Sequence, residues 1–229
     1  MPTPDRPKVI FFDVNETLLD LAPLKKRITE VLEGNEQLVP LWFTTLLQYS
    51  LVTSSSERYT SFAHIGAATL QMVAANNDIT ISQETARNTV TRGLRSLPAH
   101  PEVKDALARL KAAGYTLVTL TNGSQEEVDA QCAYAGLTSY FTERLSVEEV
   151  GKFKPFAETY SWAARRMGAA PEDCMLVAAH GWDVAGARWS GWRAAFVDRP
   201  GQQVYPLGPD VEIVASDLRG VAEVLTQES

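Results

Sequence analysis

Several short apolar runs, each closed by polar residues and separated by amphipathic stretches, constrain this 229-residue chain more than any other feature. The first is Lys8–Phe12 (KVIFF), which ends on Asp13. Tyr115–Leu120 (YTLVTL), Met175–Ala179 (MLVAA) and Ala194–Val197 (AAFV) follow, with a last run at Glu212–Ala215. Runs this short and this continuously apolar read as strands buried on both faces, the parallel-sheet type. Helical patterns at Glu102–Ala113, Gln125–Ala135, Ala157–Met167 and Val184–Trp189 lie between them, and Leu218–Thr226 closes the chain. Gly114, Gly136 and Gly168 follow the first three of these helices, where a left-handed terminating residue is wanted. Strand and helix in alternation predict an α/β fold with a parallel, Rossmann-like sheet.

One segment breaks the alternation. From about Leu21 to Leu97 there is no convincing strand but four amphipathic stretches, Pro23–Leu32, Gln37–Leu51, Ser56–Ala75 and Ser82–Ser96. Leu97-Pro98 marks the return of the α/β pattern. The expected organisation is a catalytic core of residues 1–21 and 98–229 with an all-helical cap, 22–97, inserted after the first strand.

Charge and cysteine content bound the setting. With 21 Lys and Arg against 28 Asp and Glu the formal charge is −7, which argues against a nucleic-acid or anionic-membrane partner. Cys132 and Cys174 have no metal-ligand or redox spacing and read as buried thiols. No apolar run is long enough to span a bilayer, and the Pro-broken start makes a poor signal peptide, so a cytoplasmic location is expected.

In open α/β sheets reactive groups gather at the carboxyl ends of the strands. Here those ends carry Asp13-Val14-Asn15-Glu16-Thr17, Thr121-Asn122-Gly123-Ser124 and His180-Gly181-Trp182-Asp183, with Lys152-Phe153-Lys154-Pro155 ahead of the third. A carboxylate, hydroxyls, a lysine and a His/Asp pair would converge on one edge.

The ordered set DxxxTL, TN, Lys-Pro and a final Asp resembles the haloacid dehalogenase superfamily, whose core is Rossmann-like with an inserted helical cap. LTNGS, KFKPFAETY and AAHGWDVAGARWSGW are similar to its type II (L-2-haloacid dehalogenase) branch. Superfamily phosphatases place a second aspartate two residues after the nucleophile to protonate the leaving alcohol, and here that position is Asn15, whose amide cannot act as an acid. A halide needs no proton. The resemblance therefore implies displacement of halide from a small anionic 2-haloalkanoate through an aspartyl ester, with no metal and no cofactor, and homodimerisation as in that branch. Other leaving groups, such as a strained-ring C–N bond or, less favoured, a phosphate ester, keep the same nucleophile. A catalytically silent binding module is the remaining class.

The resemblance makes Asp13 the nucleophile, Lys154 its stabilising cation and Asp183 the partner of that lysine. Thr17 and Thr121 would bond carboxylates of enzyme and substrate, Val14, Asn15 and Asn122 would offer backbone N–H groups, and Tyr160 would position the lysine. Two departures stand out. The branch commonly has Asn where this chain has His180, and His180 is expected to pair with Glu16 as a general base for ester hydrolysis. The branch often has a cap arginine to receive the halide, and Phe43 stands in its place, leaving Asn15, the Trp182 indole or a ring edge to hold the ion. Phe43, Leu47, Phe62 and Trp182 are expected to wall the alkyl chain. His64 and His100 are expected to have no chemical role.

Overall fold

The computed structural model describes residues 6–227. Six parallel strands, β1 (Val9–Phe12), β2 (Thr116–Thr121), β3 (Glu143–Ser146), β4 (Cys174–Ala178), β5 (Arg193–Val197) and β6 (Ile213–Ala215), form one sheet in the order β3-β2-β1-β4-β5-β6. The fold is thus the Rossmann-like α/β class that the alternation predicts. Phe12 at the end of β1 is level with Thr119 of β2 and Val177 of β4. The strand order reverses at β1, and such a switch point opens a crevice beyond the strand ends. Asp13 is the first residue into that crevice.

Side chains of β1 alternate between two cores, as a period of two requires. Ile10 and Phe12 join the larger core, which continues among the helices α5 (Val103–Ala112), α6 (Gln125–Ala135) and α9 (Leu218–Gln227). Val9 and Phe11 face the smaller one with Tyr160 and Trp192, the Phe11 and Trp192 rings lying 4.4 Å apart. The helices α7 (Ala157–Arg166) and α8 (Gly181–Trp189) cover that side. Close packing explains a glycine here: a Cβ on Gly186 would lie 2.4 Å from the Pro155 Cβ and 2.8 Å from the Tyr160 hydroxyl.

Four consecutive helices stand between β1 and α5: α1 (Ala22–Val31), α2 (Leu38–Ser55), α3 (Phe62–Ala75) and α4 (Gln83–Arg95). Their boundaries follow local chemistry. Ser61 and Ser82 accept the N–H groups of His64 and Thr85, so α3 starts at Phe62 rather than at the expected Ser56, and α2 runs four residues beyond Leu51. Among the described residues no helix is long and apolar enough to cross a membrane.

One strand escapes the sequence pattern. β3 has the mixed composition ERLS and lies at the sheet edge, where Arg144 pairs with Asp129 of α6 at 2.6 Å. Polar residues on an edge strand erase the apolar signature on which the other strands were identified. Cys132 and Cys174 are buried and unpaired, as expected.

Candidate active site

The β1 strand delivers Asp13 into the crevice almost fully buried. Its Oδ1 accepts from the Lys154 ammonium at 2.9 Å, and its Oδ2 accepts from the Thr17 hydroxyl at 2.7 Å. The Thr17 hydroxyl oxygen in turn accepts the N–H of Ala179, just beyond β4. Burial alone would raise the Asp13 carboxyl, but the Lys154 charge and then the His180 contacts outweigh it and hold the group well below the usual carboxylate range. It is an anion stripped of water, the state a carboxylate nucleophile needs.

Lys154 is fully buried and lies between two carboxylates, bonding Asp183 Oδ2 at 2.5 Å as well as Asp13, with the Leu120 carbonyl as its third acceptor at 2.9 Å. Three acceptors match the three protons of an ammonium. Burial would lower this lysine, yet the two acids raise it, so its charge is kept. The Asn122 carboxamide accepts the Lys154 N–H at 2.9 Å and pins the loop that carries it. Tyr160 donates to Asp183 Oδ1 at 2.6 Å, and so reaches the lysine through Asp183.

His180 joins the site on the other flank of Asp13. Its Nδ1 lies 3.2 Å from Asp13 Oδ2 and its Nε2 3.2 Å from Glu16 Oε2. The pairing with Glu16 is present, but the contact with Asp13 changes the protonation. Burial would lower the imidazole, whereas hydrogen bonds to and charges of Asp13 and Glu16 raise it to about 9. A value so raised favours the imidazolium in the resting site at neutral pH, with a ring proton available to each carboxylate. The rings of Trp182 and Phe43 lie against it, at 5.3 and 6.1 Å and within 27° and 22° of parallel.

The remaining expected residues divide. The Asn15 oxygen accepts from Gln131 Nε2 at 2.9 Å, which orients its NH2 group the other way. The Trp182 indole Nε1 is buried without a partner. Thr121 accepts the Gly123 N–H at 3.1 Å, a turn-stabilising role. Val14 is buried, and its carbonyl receives the N–H groups of Leu18 and Leu19. Phe62 is buried with its ring 6.0 Å from that of Phe153, and Leu47 is half-buried against the larger core, positions that ordinary packing accounts for.

Three contributors had no sequence signal. Lys25 of α1 bonds Glu16 Oε1 at 2.7 Å, Gln202 of the loop after β5 bonds Glu16 Oε2 at 2.9 Å, and His100 bonds the Glu16 carbonyl at 3.0 Å. His100 thus has a structural part, holding the turn that carries Glu16.

Among the described residues no group of three or more His, Cys, Asp or Glu side chains is arranged to hold a metal ion. Between Asp13 and Asp183, where a cation would be attracted, the ammonium of Lys154 already stands. Counting Asp13, Glu16 and Asp183 against Lys154, His180 and Lys25, the site is locally balanced although the whole chain carries −7.

Comparison with known proteins agrees with this architecture. The chain is 29% identical over 218 residues to the (S)-2-haloacid dehalogenase of Pseudomonas sp. (strain YL), covering 95% of this chain and 94% of that protein. It is 26% identical over 213 residues to haloacetate dehalogenase H-2 of Moraxella sp. (strain B), covering 92% and 95%. The structure of an L-2-haloacid dehalogenase from Xanthobacter autotrophicus, with chloropropionic acid covalently bound, superposes with a TM-score of 0.89 at 21% identity, covering 97% of this chain and 99% of that one. Residues 7–191 match the model of the haloacid dehalogenase-like hydrolases, a span holding both the Asp13–Lys154–Asp183 constellation and the helices inserted after β1, and the chain belongs to that family.

Proposed function

We propose that the chain is an (S)-2-haloacid dehalogenase that converts a short 2-haloalkanoate into the (R)-2-hydroxy acid. The observation that carries this reading is the buried, ionised Asp13, clamped by Lys154, with an amide rather than an acid at position 15. The names of the curated relatives point to the same chemistry.

In the first step an Asp13 oxygen attacks C2 of the substrate from the side opposite the halogen. A C–O bond forms, the C–halogen bond breaks, and the halide leaves with its electron pair, inverting C2. The Trp182 N–H, buried and unpartnered, and the Asn15 NH2, turned away from Gln131, are the donors suited to hold the departing ion in the absence of a cap arginine. The Phe43 ring lies against His180. N–H groups of Val14, Asn15 and Asn122 and the Thr121 hydroxyl are the donors we assign to the substrate carboxylate.

Esterification removes the Asp13 charge, and with it one of the two acids that keep His180 protonated. The imidazole then releases its proton to solvent and becomes the base, still oriented by Glu16. It takes a proton from a water that attacks the Asp13 carbonyl carbon. Cleavage of the acyl C–O bond frees the product oxygen, which recovers a proton from His180. Asp13, re-formed as the acid, passes its remaining proton to His180 and so regains its charge; it retains one oxygen from that water, and the configuration set at C2 is preserved. No step calls on a metal or cofactor.

A cytoplasmic location and homodimerisation belong to the same reading. Unpaired Cys132 and Cys174 suit a reducing compartment, and exposed Leu41, Leu51 and Val52 on α2 would suit a subunit contact. The test of the function is release of halide from (S)-2-chloropropionate with formation of (R)-lactate. Absence of both, or equal turnover of the (R)-substrate, would refute it.

A further inference from the structure

Glu16 is constrained far beyond what contact with His180 requires. It sits in the tight turn after β1 with φ of 66°, a left-handed conformation uncommon outside glycine. Its N–H donates to the Leu19 carbonyl at 2.9 Å, and its own carbonyl is held by His100. Each carboxylate oxygen is also engaged: Oε1 by Lys25 at 2.7 Å, Oε2 by Gln202 at 2.9 Å and by His180 at 3.2 Å. Gln202 is brought in by a close approach of two backbones, since a Cβ on Gly181 would lie 2.3 Å from the Gln203 carbonyl oxygen. The loop 202–205 therefore closes directly onto the start of α8, next to His180.

We propose that Lys25 and Gln202 are positioning residues for the hydrolytic half of the reaction, fixing Glu16 so that His180 presents Nδ1 to the Asp13 acyl group. A carboxylate held only by the imidazole could rotate and let the ring swing. With Lys25 on one oxygen and Gln202 on the other, the plane of the carboxylate is set, and so is the direction of the Glu16–His180 bond. The two donors act differently. Gln202 is neutral and orients without altering charge. Lys25 offsets part of the Glu16 charge that the imidazole feels, so it keeps His180 from holding its proton too firmly once the ester has formed. Because Lys25 belongs to α1, the first inserted helix, seating of that helix on the core is coupled to the orientation of the base. The other charged or titratable groups around this pair are Asp13 at the end of β1, Lys154 and Asp183 beyond it, His100 ahead of α5, and the Arg199–Glu102 pair that binds the Thr17 carbonyl.

This inference rests on the ester mechanism, and the test separates the two. Wild type, Lys25→Met, Lys25→Arg, Gln202→Leu and a reference His180→Asn are mixed with (S)-2-chloropropionate, quenched in acid and weighed intact. The rates of adduct appearance and decay are measured across pH 6–9. Expected for Lys25→Met and Gln202→Leu is adduct formation at the wild-type rate with decay slowed about threefold or more. In Lys25→Met the pH limb of decay should also move up by about half a pH unit, and Lys25→Arg should restore it. If His180→Asn accumulates adduct while Lys25→Met and Gln202→Leu decay like wild type, the positioning role is wrong and the ester reading stands. If formation slows as much as decay, the residues only support the site as a whole, and the proposal is again overturned. If His180→Asn accumulates no adduct, the ester–base reading itself fails and takes this inference with it.

Discussion

The charge on His180 in the resting protein has a thermodynamic consequence that needs no substrate. An imidazole lifted on folding from its ordinary 6.5 to about 9 binds its proton more tightly in the native state than in the unfolded chain. The stabilisation is fully present below about pH 6.5 and is lost as pH rises through about 9. At about 1.36 kcal/mol per pH unit, the difference corresponds to about 3 kcal/mol, a large share of the stability of a typical domain. The measurement is the free energy of urea unfolding at pH 6, 7.5 and 9.5, for wild type and for His180→Gln. Glu127 also titrates nearby, since burial raises it to about 7, but its contribution is common to both proteins and cancels in the difference. Wild type should lose its advantage over the variant by up to about 3 kcal/mol between pH 6.5 and 9.5. Parallel stability curves across that window would show that the imidazole is not held protonated by Asp13 and Glu16, and would remove the basis for the change of state on esterification.

Other consequences are independent of that one. Lys154→Met should abolish turnover and destabilise the fold by about 3–5 kcal/mol, because two buried carboxylates lose their shared cation; adding Asp183→Asn should recover stability without activity in thermal unfolding and halide assays. Trp182→Phe keeps a ring beside His180 but deletes the unpartnered N–H; halide release in a single turnover should slow about tenfold, as loss of a hydrogen bond to an anion implies, while the melting temperature should not fall. EDTA should leave kcat and KM unchanged, since the charge between Asp13 and Asp183 is a lysine; loss of activity restored by magnesium would contradict this. Tyr160→Phe should preserve packing but release Asp183 Oδ1, lowering kcat more than it raises KM in steady-state kinetics.

What the sequence reveals follows from how local each cause is. The central strands are legible because burial on both faces demands an unbroken apolar run, as in VIFF and CMLVA. Edge strand β3 is not, because at the sheet edge Glu143 and Arg144 stay partly exposed and break the apolar run. Asp13, Lys154 and Asp183 are legible because strand ends of a parallel sheet must meet at one edge, and the structure places them within hydrogen-bond distance. The pairing of Glu16 with His180 follows from the same rule. The protonation of His180 does not, since it depends on a 3.2 Å contact with Asp13 that no residue pattern specifies. Lys25 and Gln202 are equally silent in the sequence. One approaches Glu16 from an inserted helix and the other from a loop 186 residues away, so neither spacing nor periodicity relates them.

The central claim is that Asp13 is alkylated and then restored by water attacking its carbonyl carbon. A single turnover of excess enzyme with (S)-2-chloropropionate in ¹⁸O-labelled water tests it most directly, followed by mass analysis of both the lactate and the peptide containing Asp13. The account predicts one ¹⁸O in the Asp13 carboxylate and none in the lactate hydroxyl after that first turnover. Label in the lactate with an unlabelled Asp13 peptide would mean that water attacks C2 itself, and would contradict the account.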